Sequence, residues 1–162
     1  MAHRKKKEKD EGIAPLLKSP EKVKIGIAVA QWHSDITHPM LSGALHLLKE
    51  QGILPKNILV DFVPGSFELP LAAQWQLEKN MDAVICLGCV IKGETMHFDF
   101  ICHAVASGIK DLNLKFSKPV MFGVLTPNNL KQARERAGGK YGNKGAEAAE
   151  AALQMLSLKN AS

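Results

Sequence analysis

The sequence is poor in cysteine, and the three it has, Cys86, Cys89 and Cys102, form no spaced framework. That excludes a disulfide-stapled scaffold, and the odd count fits a reducing compartment. No apolar run reaches the roughly 18 residues that span a bilayer. Arg4-Lys5-Lys6-Lys7 makes a basic start, yet acidic and polar residues follow where a signal peptide needs an apolar segment. A cytoplasmic protein without membrane association is expected. Metal and nucleophile signatures are missing as well. Cys86 and Cys89 have C-x-x-C spacing, but positions three apart on a strand point to opposite faces and cannot chelate one ion, so both read as core cysteines. His97 and His103 are six apart, H-E-x-x-H is absent, and no G-x-S-x-G elbow occurs. No metal site is predicted.

What is present is the composition of a globular domain: 162 residues, 46% hydrophobic and 23% charged, suffice for one sizeable core. The net charge of +5 points toward nucleic acid only until it is located. Residues 1–20 hold six Lys/Arg against three Asp/Glu, which leaves 15 against 13 in the remainder. No aromatic residue is interleaved with the tail charges, so residues 1–20 read as a disordered basic arm rather than a nucleic-acid contact. Pro15 and Pro20 put the domain start near Glu21; the domain is expected over 21–158, with 159–162 as a short tail.

Along the domain, β-branched apolar runs alternate with stretches of helical spacing. Strands are predicted over 23–30, 58–63, 83–90 and 119–125. Helices are predicted from Pro39 to about Glu50, from a Ser66 cap through Leu77, from His97 to about Leu112, from Asn128 to about Ala137, and from Asn143 to about Leu158. Pro70 falls in a first helical turn, where its missing N–H costs little. The glycine-rich 138–145 follows a helix and lacks Walker spacing, so it reads as a helix-helix corner. This alternation predicts an α/β fold, a three-layer α/β/α sandwich around a four-stranded parallel sheet, flavodoxin-like, with right-handed crossovers.

The topology carries a functional expectation. Trp32-His33, Gly65-Ser66-Phe67-Glu68, Gly93-Glu94-Thr95-Met96-His97 and Thr126-Pro127-Asn128 each follow a strand, so all must share the carboxyl edge of the sheet, where α/β proteins bind ligands. Taken alone, each has a plain reading: Trp32 and Phe67 as core, Glu68 as a partner of the helix dipole, His97 as a helix-start residue bonded to its own loop. Convergence changes that. A histidine titrates near neutrality and can shuttle protons, and a helix amino terminus there offers N–H groups to an anion.

Four motifs in order, Val63 to Pro70, Gly88 to Asp99, Phe122 to Thr126 and Glu135 to Ala149, closely resemble the 6,7-dimethyl-8-ribityllumazine synthase family, over about Val23 to Leu158. The resemblance implies a transferase of riboflavin biosynthesis that condenses 5-amino-6-(D-ribitylamino)uracil with 3,4-dihydroxy-2-butanone 4-phosphate, releasing phosphate and water, with no metal or organic cofactor. It implies that Trp32 stacks on the pyrimidine and that Ser66, Phe67 and Glu68 hold the ring and ribityl chain. Cys89, Val90 and Ile91 would meet the uracil edge, and Glu94 and Thr95 would offer main-chain N–H groups to the phosphate. His97 is implied as the proton-transfer residue. From a neighbouring subunit, Phe122 would cover the ring, Arg136 would bind the phosphate, and Lys144 would add positive charge.

The resemblance also implies homo-oligomers: pentamers, in some members assembled into an icosahedral 60-mer and associated with riboflavin synthase. The uninterrupted turn 138–142 leans toward the 60-mer. Three positions depart from the family pattern: His33 stands where Asn is frequent, Cys89 where Thr or Ala is, and Glu94 where a small residue is. Glu94 motivates one competing reading, a shell-forming or flavin-binding protein of this fold without turnover. The basic tail motivates another, a nucleic-acid-associated protein.

Overall fold

Strands buried on both faces read as unbroken apolar runs, and this chain obeys that rule at its centre. In a computed structural model, which describes residues 14–161, the strands β1 (Ile25–Ala30) and β3 (Ala83–Cys89) are buried throughout. They are flanked by β2 (Ile58–Val63) and β4 (Val120–Leu125), giving a four-stranded sheet of order β2-β1-β3-β4. Every pairing is parallel. This is the order of a flavodoxin-like sheet, whose topological switch lies between β1 and β3.

Five helices cover the two faces: α1 (Ser34–Glu50), α2 (Leu69–Glu78), α3 (His97–Phe116), α4 (Leu130–Arg136) and α5 (Lys144–Asn160). Period-two alternation sends odd-numbered residues of β1, β3 and β4 one way and even-numbered ones the other. Ile27, Ile85 and Leu87 pack with Met40 and Leu48 of α1 and Leu153 of α5. Ala28, Cys86 and Val124 pack with Leu69 and Ala73 of α2 and Ile109 of α3. The expected α/β/α sandwich is what forms. Cys86 and Cys89 fall in these two different clusters, on opposite sides of the sheet.

Several boundaries move, each for a physical reason. The first helix starts at Ser34 and runs through Pro39, because Ile36 and Thr37 are fully buried and the Thr37 hydroxyl donates to Ala30 O at 2.7 Å. Tertiary burial overrides the proline. The third helix continues to Phe116, and the last ends at Asn160, inside the expected tail. Part of the expected basic arm, residues 1–13, lies outside the described residues. Residues 14–20 pack against the domain: Leu17 joins the core and Leu16 N donates to Gln51 Oε1 at 2.9 Å. The two leucines supply apolar surface that the charge pattern of the arm conceals. The glycine-rich corner holds a small antiparallel hairpin, β5 (Ala137–Gly139) and β6 (Gly142–Asn143). Among the described residues no helix is long and apolar enough to cross a membrane.

Candidate functional site

The register aligns Ala30 with Val63 and Cys89 with Leu125, so the loops that follow the four strands leave the sheet at one edge. Main-chain bonds then join them. Gln31 N donates to Val63 O at 2.8 Å and Trp32 N to Pro64 O at 2.9 Å. On the other side of the switch, Val90 N donates to Leu125 O at 2.8 Å and Lys92 N to Pro127 O at 3.0 Å. The predicted convergence therefore occurs, and it is braced by the backbone.

Trp32 lies with its ring against Gly65, where a Cβ would strike the indole. Its other surface is open, since the side chain is 65% exposed. His33, the next residue, adopts the left-handed conformation (φ 59°, ψ 48°) and its carbonyl accepts from Ile36 N and Thr37 N. A non-glycine residue is uncommon there. That turn carries the chain from Trp32 into α1.

In the second loop Ser66 begins a 3-10 turn, Ser66–Glu68, and α2 starts only at Leu69. The expected Ser66 cap is thus replaced by another arrangement. Its Oγ is buried against Gly88 and has no hydrogen-bond partner. Glu68 braces the loop: Oε2 accepts from Gly65 N at 3.0 Å and Glu68 N donates to Gly65 O at 3.3 Å. Phe67 points outward, 56% exposed.

The third loop joins β3 to α3. Cys89 is buried; Val90 and Ile91 are half-buried; Glu94, Thr95 and His97 are exposed. Burial, and secondarily the Asp35 carboxylate, push the Cys89 thiol up to about 12, so it presents a neutral group. His97 is the first residue of α3, and its backbone N–H donates to Thr95 Oγ1 at 3.4 Å. A Cβ added at Gly93 would meet nothing within 4 Å. The glycine is not explained by packing inside the chain.

Arg136 and Lys144 lie apart from this group, and Phe122 sits deeper along β4. Phe122 is in register with Cys86, three residues short of Cys89, and packs on the α2/α3 layer. Arg136 ends α4 and Lys144 opens α5. Arg134 Nη2 reaches Asp35 Oδ2 of α1 at 3.6 Å, and Asn143 Nδ2 donates to Pro39 O at 2.9 Å. These bonds fasten the cationic segment to the α1/α5 layer, whereas His97 begins a helix of the opposite layer. Lys144 Nζ stands 3.7 Å from Glu147 Oε2, which offsets part of its charge. Two residues not singled out from the sequence adjoin Arg136: the Tyr141 ring carries Arg136 Cζ at 5.5 Å and Lys140 Nζ at 5.2 Å from its centroid. Their only signal was that the sole tyrosine of the chain sits among the corner glycines.

Two hollows, about 230 and 320 Å³, lie elsewhere, one between residues 16–23 and the end of α5, the other beside β2. Neither is lined by Trp32, Phe67 or His97. The convergence of polar loops at the switch point marks the candidate site, since it gathers an aromatic face, a histidine and a helix amino terminus that neither hollow offers.

Comparison with known proteins identifies the family. The family model described as 6,7-dimethyl-8-ribityllumazine synthase matches residues 22–160. A protein of that name from Cytophaga hutchinsonii is 61% identical over 132 residues, 81% of this chain and 83% of the relative. One from Porphyromonas gingivalis is 51% identical over 138 residues, 85% of this chain and 86% of the relative. A third, from Parabacteroides distasonis, is 50% identical over 135 residues, covering 83% and 84% of the two chains. With the match running through all four site loops and the cationic hairpin, the chain belongs to the 6,7-dimethyl-8-ribityllumazine synthase family.

Proposed function

We propose that this chain condenses 5-amino-6-(D-ribitylamino)uracil with 3,4-dihydroxy-2-butanone 4-phosphate to form 6,7-dimethyl-8-ribityllumazine, the penultimate step of riboflavin biosynthesis. The observation that carries the reading is the family match over residues 22–160 together with an exposed His97 at the start of α3, beside the β1/β3 switch. The amine attacks the ketone and loses water to give an imine, phosphate departs by elimination, and the second amine closes the ring with loss of water. No step needs a protein nucleophile. The useful contributions are register between two substrates, a cation for the departing phosphate, and a proton shuttle.

Each residue type suits one of those tasks. Trp32 offers an open indole face to the pyrimidine, with Phe67 beside it on the loop edge and Ser66 and Glu68 holding the loop that meets the ring and ribityl chain. Cys89, Val90 and Ile91 continue β3 toward the uracil edge. Main-chain N–H groups at Glu94 and Thr95 face the phosphate, and His97 moves protons. The neutral Cys89 thiol adds no charge beside the uracil. The intact His97 and Arg136 favour an enzyme over a non-catalytic shell or flavin-binding protein.

Phe122, Arg136 and Lys144 serve the site of a neighbouring subunit. For Arg136 and Lys144 support comes from the layer geometry: the cationic segment and His97 sit on opposite faces of the sheet. Exposed Leu71 and Trp75 stand four residues apart on α2, Phe67 precedes them in the 3-10 turn, and Met96 and Phe100 flank the start of α3; exposed apolar surface of this kind suits an interface. A homo-oligomer follows, a pentamer with the 60-mer shell as its closed form, since Lys140-Tyr141 is a two-residue connection with no insertion. The test is appearance of lumazine absorbance above the uncatalysed background when both substrates are mixed with the protein. Arg136→Ala should raise KM for the phosphate substrate and leave KM for the pyrimidine unchanged. Absence of any acceleration, with pyrimidine still bound, would return the non-catalytic reading.

A further inference from the structure

We infer that Tyr141 is a positioning residue for anion binding, its ring gathering Arg136 and Lys140 into one cationic pair whose N–H donors are left for the phosphate group of the substrate. The inference rests on the proposed role of Arg136 and extends it to residues with no assigned part.

The backbone sets where the ring is presented. Tyr141 occupies the two-residue connection of the β5/β6 hairpin, between Gly138 (φ 104°) and Gly142 (φ 92°), both in the left-handed region that glycine tolerates. Tyr141 N donates to Glu135 O at 2.8 Å, one residue before Arg136. At Gly139 a Cβ would stand 2.7 Å from Arg134 O and 2.9 Å from the Glu135 Cα, so the hairpin lies folded back on the end of α4. The backbone positions from which the Tyr141 ring and the Arg136 side chain extend are thereby held close together.

The choice of partner matters. Of the cations in this segment, Arg134 has Asp35 and Lys144 has Glu147. Among the described residues Arg136 and Lys140 have no carboxylate partner, and both stand over the Tyr141 ring at distances typical of cation–π contact. A carboxylate would neutralise the charge and occupy the donors. An aromatic face attracts the cation through its quadrupole, uses no N–H group and carries no net charge. It also lets two like charges share one anchor, concentrating positive potential where a dianionic ligand would be recognised.

The experiment is steady-state kinetics on the assembled enzyme with Tyr141→Leu, Tyr141→Phe, Tyr141→Trp and Arg136→Ala. Tyr141→Leu should raise KM for the phosphate substrate, and the inhibition constant for inorganic phosphate, by about two- to fivefold, the range an exposed cation–π contact supports. Its kcat and its KM for the pyrimidine should stay within about twofold. Tyr141→Phe should match the parent, and Tyr141→Trp should bind phosphate as well or better, because the ring face and not the hydroxyl acts. An unchanged phosphate KM in Tyr141→Leu, or equal damage in Tyr141→Phe, would overturn the inference. Should Tyr141→Leu fail to assemble, the Phe and Trp variants decide it, since a raised KM in either is incompatible with a ring-face role. Unchanged phosphate KM in Arg136→Ala would instead overturn the reading of Arg136 itself.

Discussion

At Cys89 and Cys86 the thiols are pushed up to about 12 by burial, with Asp35 adding to the effect at Cys89. Both remain protonated through neutral pH, and a protonated thiol is a poor nucleophile. Cys102, only half-buried, is raised less, by burial and then Asp99. Alkylation of the native protein near pH 8 should therefore modify Cys102 first, as peptide mapping would show; early labelling of Cys89 would contradict its buried state. The same shift has a stability consequence. In the unfolded chain a thiol ionises near its ordinary value, in the fold only near 12, so the unfolded state loses its proton first and folding weakens as pH rises above about 9. Denaturant midpoints at about pH 8 and pH 10 should differ less for Cys86→Ala than for the parent. His97 invites the opposite kind of test: His97→Ala should lower kcat by up to about a hundredfold, the low end for a positioned proton-transfer group, with both KM values retained. An unaltered kcat would remove His97 from the mechanism.

Among the elements, α5 and the hairpin before it depend on very close packing. Asn143 caps α5 through Gly145 N at 2.9 Å and Ala146 N at 3.1 Å, while its Nδ2 holds Pro39 O. A Cβ at Gly145 would collide with the Met40 carbonyl, and one at Gly43 with the Asn143 side chain. Gly145→Ala should cost about 2 kcal/mol or more, typical of forced overpacking against backbone, readable as a lowered denaturant midpoint. Elements of this kind test how far a sequence can be read. All four sheet strands were legible because apolar β-branched runs have few other uses. The start of α1 was not, since Pro39 signals an end and only the burial of Ile36 and Thr37 outweighs it. β5 and β6 are short and glycine-rich, with no periodicity to detect, and the Tyr141 cluster inside them was correspondingly hidden. Trp32, Glu68 and His97 were legible through their place after strands; that Ser66 leaves the cap and turns its Oγ onto Gly88 depends on packing no local pattern announces.

For the molecule as a whole, the decisive arrangement is that His97 and the cationic hairpin belong to opposite layers of one sandwich. If sites are completed between subunits, two impaired variants should rescue each other. Mixed oligomers of His97→Ala and Arg136→Ala, refolded or co-expressed together, should regain a fraction of parental activity, because some junctions pair an intact His97 with an intact Arg136. Activity no higher than the sum of the separate variants would place both residues in the same chain's site. Disrupting the exposed stripe by Trp75→Glu should lower the sedimentation coefficient and the activity together.

The layer separation also has a hereditary reading. If neighbouring subunits share each site, a subunit defective in both layers spoils a site on each of its flanks, so one faulty gene copy expressed beside a sound one would silence more than its own share of sites. A subunit defective in one layer alone would spoil a single flank. Loss-of-function alleles would then fall into two complementing groups within one gene, divided by which face of the sheet they strike.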